Sequence, residues 1–276
     1  MEQPYGTKGL IESLASGKEY YEIRLESIGG LGANLCGKML GEMGLKYLEV
    51  NSSNFSSYGS EKTGTPVKGF VRYCNKEKEI RLHAPITEPD LLVVFHQALL
   101  KDLSVLKGCS TDTKIIIALE PGQGQDTTRL SRHAAEQKSE RDADCLNRVY
   151  GLEAQKIAME THSRINVVML GAILKIMGVE SLEAGEQICK DTLGKKYPAS
   201  LQSNLDGMRR GFDEVRKLEV GSKENEGKRS DFIKNLKSGL SEETTNRTEK
   251  AEYQKAEQSQ WGYLNAPIGG INPHLG

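Results

Sequence analysis

A glycine-rich stretch follows the first strand-like run of the chain and presents groups that can bind an anion. The run Glu22–Ser27 alternates in polarity as a strand does, and the pattern breaks at Gly29, Gly30 and Gly32 before a helical pattern begins near Ala33. A strand, a glycine turn and a helix start place bare backbone N–H groups beside the positive end of a helix dipole, which suits a phosphate. Such turns also occur as plain connections in α/β sheets.

Two known phosphate motifs fit this stretch only in part. A dinucleotide-binding pattern can start at Gly30, but Leu35 stands where the third glycine belongs, and Glu49 falls near the position of the ribose-binding acid. A P-loop pattern reaches Lys38, but Met39 follows where a magnesium-binding hydroxyl is required. A free-standing NAD(P)-dependent oxidoreductase therefore stays an alternative, and a P-loop NTPase is rejected.

A second polar segment, residues 55–72, is predicted as a glycine-punctuated loop that leads into a strand. The part before the strand at Val67 carries several hydroxyl groups, one carboxylate at Glu61 and one ammonium group at Lys62. Loops of this kind lie at sheet edges and often carry binding functions. Taken alone, the segment is equally consistent with a solvated turn.

Composition limits the classes of protein to which the chain can belong. Its net charge of −1 gives no basic field for nucleic acid. The apolar run near 167–176 is too short to span a bilayer, and the N-terminus lacks the layout of a signal peptide. The five cysteines are scattered without any Cys-x-x-Cys spacing, which argues against an iron–sulfur or zinc site held by this chain alone. We expect a cytoplasmic protein.

The order of apolar runs predicts an α/β fold, a three-layer Rossmann-like sandwich with a mostly parallel sheet. The helix at 166–177 has Gly178 at its expected stop, and Asn166 is expected to be its N-cap in preference to a ligand. His96, after the fourth strand, is either a ligand or a structural residue. The predicted strands are Glu22–Ser27, Lys46–Val50, Val67–Tyr73, Leu91–His96 and Lys114–Leu119, and the other predicted helices are Asn34–Met43, Gln97–Leu106 and Asp144–Thr161.

The composition changes near Lys217. From there to about residue 260 the chain is rich in Lys, Glu, Ser, Asn and Gln, and it has too few apolar residues to form a core of its own. We expect an extended or helical C-terminal arm. The final segment, Trp261–Gly276, is apolar and punctuated by proline and glycine, which favours a docking peptide on another subunit over a tail folded onto its own chain.

Taken together, these motifs resemble the gamma subunit, or gamma domain, of the 2-oxoacid:ferredoxin oxidoreductases, a pyruvate:ferredoxin oxidoreductase-like family. The resemblance covers about residues 21–216, which leaves 1–20 as a lead-in and 217–276 as the polar arm and docking tail. Lys62 and Thr63 stand where the family usually has an arginine, so a bidentate contact there is in doubt. The segments that carry the resemblance are Gly29–Ala33, Tyr58–Arg72, Pro89–Phe95, Asn166–Ala172 and Asn204–Phe212.

The resemblance implies oxidative decarboxylation of a 2-oxoacid, such as pyruvate, usually to acyl-CoA and CO2. It places thiamine diphosphate, Mg and [4Fe-4S] clusters on the alpha, beta and ferredoxin-like delta subunits or their fused equivalents, with ferredoxin as electron acceptor. This chain would hold no metal, contribute no catalytic residue and be silent alone. A non-catalytic assembly or scaffold subunit is the other alternative.

Two sets of site residues follow from the same resemblance. The glycine turn would bind coenzyme A, and the second polar segment would form a subunit interface that closes the active site like a lid. The expected coenzyme A residues are Gly29, Gly30, Gly32, Ala33 and Asn34, and the expected lid residues are Tyr58, Gly59, Glu61, Lys62 and Gly64.

Overall fold

The structure, a computed structural model, describes Leu14 and residues 17–58, 65–120, 148–179 and 181–218. The chain divides into two compact units, Met1–Gly221 and Ser222–Gly276, and every described residue lies in the first. The strands are β1 (Tyr21–Ile28), β2 (Val50–Tyr58), β3 (Pro66–Asn75), β4 (Leu91–Val94), β5 (Lys114–Ala118), β6 (Val149–Leu152) and β7 (Arg216–Lys217). The helices are α1 (Ala33–Tyr47), α2 (Ala154–Glu160), α3 (Ile165–Met177), α4 (Glu183–Cys189) and α5 (Leu201–Glu214), and short 3₁₀ or π turns span Gln97–Lys101, Leu103–Leu106, Lys190–Gly194 and Pro198–Ser200.

All seven described strands form one mixed sheet in the order β2-β3-β1-β4-β5-β6-β7. The four strands β1, β4, β5 and β6 are parallel and form its centre. Antiparallel pairs flank this centre, because β3 lies between β1 and β2 on one side and β7 closes the other side. The predicted α/β class is confirmed, and the parallel part is the middle of the sheet.

Each central strand is buried on both faces. Leu91 and Val93 pack into a large apolar cluster with the helices, while Leu92 and Val94 pack into a smaller cluster with the 3₁₀ turns on the opposite face. A strand alternates its side chains between the two faces, so a continuous apolar run requires cover on both. The three-layer arrangement follows from this requirement.

Three predicted elements differ from the structure. Lys46 belongs to the last turn of α1, and the next strand begins only at Val50, so the predicted strand Lys46–Val50 is wrong. The predicted helix Asp144–Thr161 is also wrong in part, since it contains the short strand β6 before α2. The predicted helix Gln97–Leu106 is instead two 3₁₀ turns, because Asp102 is extended and accepts a hydrogen bond from the N–H of Ser104.

Residues 55–58, predicted as part of a loop, belong to the polar strand β2. Its serines and asparagines have no apolar alternation, but one face of the strand binds polar atoms of α1. Ser52 Oγ donates to Gly41 O, Asn54 Nδ2 donates to Gly37 O at 3.2 Å, and Ser56 Oγ donates to Asn34 Oδ1 at 2.8 Å. Hydrogen bonds to a helix therefore replace apolar burial on this face.

The predicted stop of α3 is confirmed. Gly178 adopts φ 81° at the end of the helix, and its N–H donates to Lys175. The arm, predicted from residue 217, begins later in the structure, because Lys217 belongs to β7 and Leu218 is buried in the core. The rest of the arm and the docking tail, from residue 219 onward, lie outside the described residues, as does most of the lead-in 1–20.

Glycines allow α3 and α5 to pack with their backbones in contact. A Cβ atom added at Gly171 would lie 2.0 Å from the carbonyl oxygen of Met208, and one added at Gly211 would lie 2.0 Å from the carbonyl oxygen of Val168. Both obstacles are backbone atoms, so no side-chain rotation can relieve the clash. The two helices would have to move apart.

We predict that Gly211→Ala lowers the free energy of unfolding by about 1–3 kcal/mol, because an overpacked core must shift its backbone. The matched control is Gly37→Ala, where the new Cβ would meet Leu25 Cδ1 at an ordinary 3.4 Å. Urea denaturation followed by circular dichroism measures both. Equal stability of the two variants would contradict the proposed helix contact.

Candidate functional site

The β1–α1 connection is a tight turn fixed by two backbone hydrogen bonds. The N–H of Leu31 donates to the carbonyl of Ile28 at 3.2 Å, and the residue at the third position of this turn, Gly30, adopts φ 107°. This geometry is typical of a type II turn, which favours glycine there. The N–H of Gly29 donates to Thr65 O at 2.9 Å, which ties the turn to the residue preceding β3.

α1 follows the turn directly, and no side chain caps its N-terminus. Gly32 is the N-cap with φ 80°, and the first turn of this 15-residue helix contains no acidic residue. No described residue accepts the N–H groups of Ala33, Asn34 and Leu35. Uncapped N–H groups and the helix dipole together favour a bound anion.

A second helix begins at the same place. α3 also lacks a side-chain cap and an acidic residue in its first turn. Its Asn166 is only 2% exposed, and a Cβ atom built on Gly32 would lie 3.0 Å from the side-chain amide nitrogen of Asn166. The N-termini of α1 and α3 therefore meet at Gly32, and their positive ends act on one point.

Asn166 is the site residue whose role the sequence did not reveal. It is not the N-cap, as predicted, because Arg164 occupies that position and the helix begins at Ile165. The side chain of Asn166 makes no hydrogen bond to any described residue, although a buried amide normally has a partner. A polar residue inside the apolar run of α3 was the available signal, and its meaning depended on a contact with α1.

The five expected coenzyme A residues lie together, but they contribute differently. Gly29 and Ala33 are buried, whereas Gly30 is exposed, and a Cβ atom added there would have no atom within 4 Å, so open space lies above the turn. Asn34 is exposed, and its Oδ1 accepts a hydrogen bond from Ser56. Backbone N–H groups, together with the amide of Asn166, are therefore the ligand-binding groups that this site offers.

The lid residues are only partly described. The backbone of Tyr58 ends β2 and pairs with Val67, while Gly59, Glu61, Lys62 and Gly64 lie outside the described residues. Both ends of the segment 59–64 are nevertheless fixed near the glycine turn. Thr65 accepts the N–H of Gly29, and Ser27 pairs with the same Val67. The two predicted motifs therefore adjoin each other.

The position of Glu49 contradicts the prediction of a ribose-binding acid. In a dinucleotide-binding fold this acid lies after the second strand, at the carboxyl edge near the glycine turn. Here Glu49 precedes β2, in the connection from α1 with φ 53°, and therefore lies at the opposite end of that strand. The strand next to β1 is β3, which runs antiparallel to it.

A buried ion pair supports the turn from the other face of the sheet. Glu26 Oε1 lies 3.2 Å from Arg24 Nε and 3.2 Å from Lys68 Nζ. Burial raises the pKa of the Glu26 carboxyl, and the two cations oppose that rise. Arg24 also donates to backbone carbonyls at Ile86 and Val105, so it fixes the neighbouring loops to β1.

The described residues contain neither a metal-binding cluster nor a membrane-spanning helix. No group of three or more His, Cys, Asp or Glu side chains within them is arranged to hold a metal ion. None of their helices is both long and apolar enough to cross a membrane.

Comparison with known proteins identifies the family. The sequence profile described as "Pyruvate ferredoxin/flavodoxin oxidoreductase" matches residues 22–214, and the chain belongs to this family. It is 29% identical over 205 residues to "Pyruvate synthase subunit PorC" of Thermotoga maritima, covering 72% of this chain and 96% of the relative. It is 30% identical to "NADH-dependent phenylglyoxylate dehydrogenase subunit gamma" of Aromatoleum evansii, covering 71% and 94%. The resemblance to gamma subunits is confirmed.

Solved structures share the fold. The Thermotoga maritima pyruvate oxidoreductase subunit PORC superposes with a TM-score of 0.54 at 24% identity, covering 72% of this chain and 98% of that one. The 2-oxoglutarate:ferredoxin oxidoreductase of Magnetococcus marinus gives 0.55 at 18% identity, covering 74% of this chain and 33% of that one. At these identities the likeness establishes the α/β architecture alone.

His96 caps the first 3₁₀ turn after β4, which gives a pH prediction. Its Nδ1 accepts the N–H of Ala98 at 3.1 Å, and burial lowers the pKa of the imidazole below 6.5. The unfolded chain therefore takes up a proton before the folded chain, so His96 stabilises the fold above pH 6.5 and this contribution is lost as the pH falls below that value.

We expect His96→Asn, whose side-chain oxygen can still cap Ala98, to show a smaller loss of unfolding free energy between pH 7.5 and 5.5 than the unchanged protein. Urea denaturation at a series of pH values measures both slopes. Identical slopes would show that the His96 ring does not titrate differently in the two states.

Proposed function

We propose that this chain is the gamma subunit of a multi-subunit 2-oxoacid:ferredoxin oxidoreductase that depends on thiamine diphosphate and iron–sulfur clusters. The chain covers the active site of that complex and binds coenzyme A at the glycine turn. The observation that carries the coenzyme A role is the contact of Gly32 with the buried amide of Asn166, which joins two uncapped helix N-termini. The names of the gamma-subunit relatives support the assignment to such a complex.

The site suits the phosphate groups of coenzyme A. No described residue accepts the N–H groups of Ala33 and Asn34, and no acidic residue lies in the first turn of either helix. Hydrogen bonds from such groups to a charged acceptor contribute about 1.5–3 kcal/mol each. When bound, coenzyme A supplies the thiol that receives the acyl group, while the residues of this chain bind and orient it.

The remaining chemistry belongs to partner chains in this proposal. Thiamine diphosphate, its magnesium ion and the [4Fe-4S] clusters reside on alpha, beta and ferredoxin-like delta subunits, and ferredoxin accepts the electrons. A cytoplasmic location completes the proposal, and it is supported by Cys36, Cys74 and Cys189, which are buried free thiols.

The decisive substitution is Gly30→Gln in the purified complex. Its side chain would cover the open space above the turn and block the N–H groups, so we expect the KM for coenzyme A to rise about 10–100-fold, the loss of one such hydrogen bond. Thiamine content should stay unchanged. Gly17→Gln is the matched control, because Gly17 also has positive φ and open space but lies outside the turn.

A second variant separates strain from ligand binding. Asn166→Ala removes the amide without adding bulk against Gly32, so it should raise the KM for coenzyme A while circular dichroism shows an unchanged fold. An unchanged coenzyme A requirement in both Gly30→Gln and Asn166→Ala would remove the coenzyme A role. It would leave the assignment to the complex to be decided by subunit composition.

The lid role of Tyr58, Gly59, Glu61, Lys62 and Gly64 is a separate part of this proposal. It is supported by the fixed ends of the segment 59–64 beside the glycine turn. We expect amine-reactive labelling of Lys62, read by mass spectrometry, to fall at least several-fold when the isolated chain assembles with its partners. The exposed Lys78, beyond the far end of β3, serves as the reference residue. Equal labelling of Lys62 in both states would refute the lid.

A further inference from the structure

The outer edge of β2 is open in the part of the chain that the structure describes. β2 is the terminal strand of the sheet, and its only strand neighbour there is β3. It pairs with β3 residue for residue over nine positions, without a bulge. The N–H of Ser52 donates to Asn51 Oδ1 at 3.0 Å, and the remaining outward N–H and C=O groups form a straight template to which another strand can add.

The edge of β2 lacks the features that usually prevent such pairing. Natural edge strands are short, bulged, or carry charged residues or proline. β2 has the sequence Val-Asn-Ser-Ser-Asn-Phe-Ser-Ser-Tyr, with no charged residue and no proline. A sequence without charge offers no electrostatic selection for an oppositely charged partner, and it allows two identical strands to meet without repulsion.

The same sequence matches itself when it is reversed about Asn54. In an antiparallel pair centred there, Val50 of one copy lies opposite Tyr58 of the other, and Ser52 lies opposite Ser56. Asn51 lies opposite Ser57, and Asn54 meets its own copy. Hydroxyl groups beside each other are favourable cross-strand pairs. Only the pair of Ser53 with Phe55 is mixed in character.

The side chains of β2 are also fixed in position on both faces of the strand. The side chains of Ser52, Asn54 and Ser56 are fixed on α1 by the hydrogen bonds described above. On the other face, the rings of Phe55 and Phe70 lie 4.9 Å apart. Both faces are thus anchored to the body of the protein, so association would require little ordering of this strand.

We propose that β2 is a self-association surface, at which two copies of this chain join their sheets across a two-fold axis through Asn54. The interface is isologous, since each copy contributes the same strand. This inference is independent of coenzyme A binding, because it uses the outer edge of β2 and not the glycine turn.

Disulfide trapping in the full-length chain tests the strand register. In the proposed pair the Cα atoms of Asn54 and its copy are about 4.5–5.5 Å apart, within disulfide range. Asn54→Cys should therefore give a covalent dimer under mild oxidation in most of the protein. Ser57→Cys is the control, since its two copies would lie about 20 Å apart at 3.4 Å per residue. The unchanged chain gives the background from its own cysteines.

Light scattering after gel filtration tests the association itself. We expect the unchanged chain to have twice its 30.4 kDa mass at tens of micromolar, and the double variant Ser53→Lys/Ser57→Lys to have the monomer mass, because four lysines would meet at the seam. The control Thr87→Lys/Gln155→Lys adds the same charge at exposed positions elsewhere and should remain a dimer. Circular dichroism checks that each variant is folded.

Several outcomes would overturn the proposal. They are a monomeric unchanged chain, a dimer that survives the edge lysines, and equal trapping at positions 54 and 57. A cross-link from Asn54→Cys to a different polypeptide in the purified complex would also overturn it, since another subunit would then occupy the edge.

Discussion

The close approach of Gly32 to Asn166 determines how the rest of the site is arranged. α1 follows the first strand and α3 follows the sixth, so their N-termini meet only because one residue has no side chain and the other has a short one. Any larger residue at Gly32 would separate the helices and would also strain a backbone at φ 80°. The glycine that the local turn requires is therefore also the residue that allows the N-terminal ends of two helix dipoles to meet.

This arrangement has a consequence for stability. Asn166 is buried without a hydrogen-bond partner among the described residues, and the first N–H groups of α1 are uncapped. Groups of this kind lower the stability of the free chain, and they are stabilised when a ligand accepts their hydrogen bonds. Binding sites commonly show this conflict between stability and function. The surrounding apolar cluster, in which α3 is almost wholly buried, compensates for it.

The antiparallel extension of the sheet places the second motif beside the first. β2 and β3 are antiparallel neighbours, and the end at which β2 stops and β3 begins lies next to the glycine turn, since Thr65 accepts the N–H of Gly29. In a dinucleotide-binding fold the second strand would occupy the position that β3 takes here. This difference in strand order removes the ribose-binding acid from the site.

The sequence by itself determined the α/β class, the glycine turn, the end of α3 at Gly178 and the family. Each of these depends on local features: continuous apolar strands, glycines required by positive φ, and motifs in a fixed order. Tertiary structure alone decided the strand order, the strand character of the polar β2 and the role of Asn166. These features depend on contacts between residues that are distant in the chain. β2 is stabilised by hydrogen bonds to α1 in place of apolar burial, and the side chain of Asn166 reaches the glycine turn only because α3 packs on Gly32.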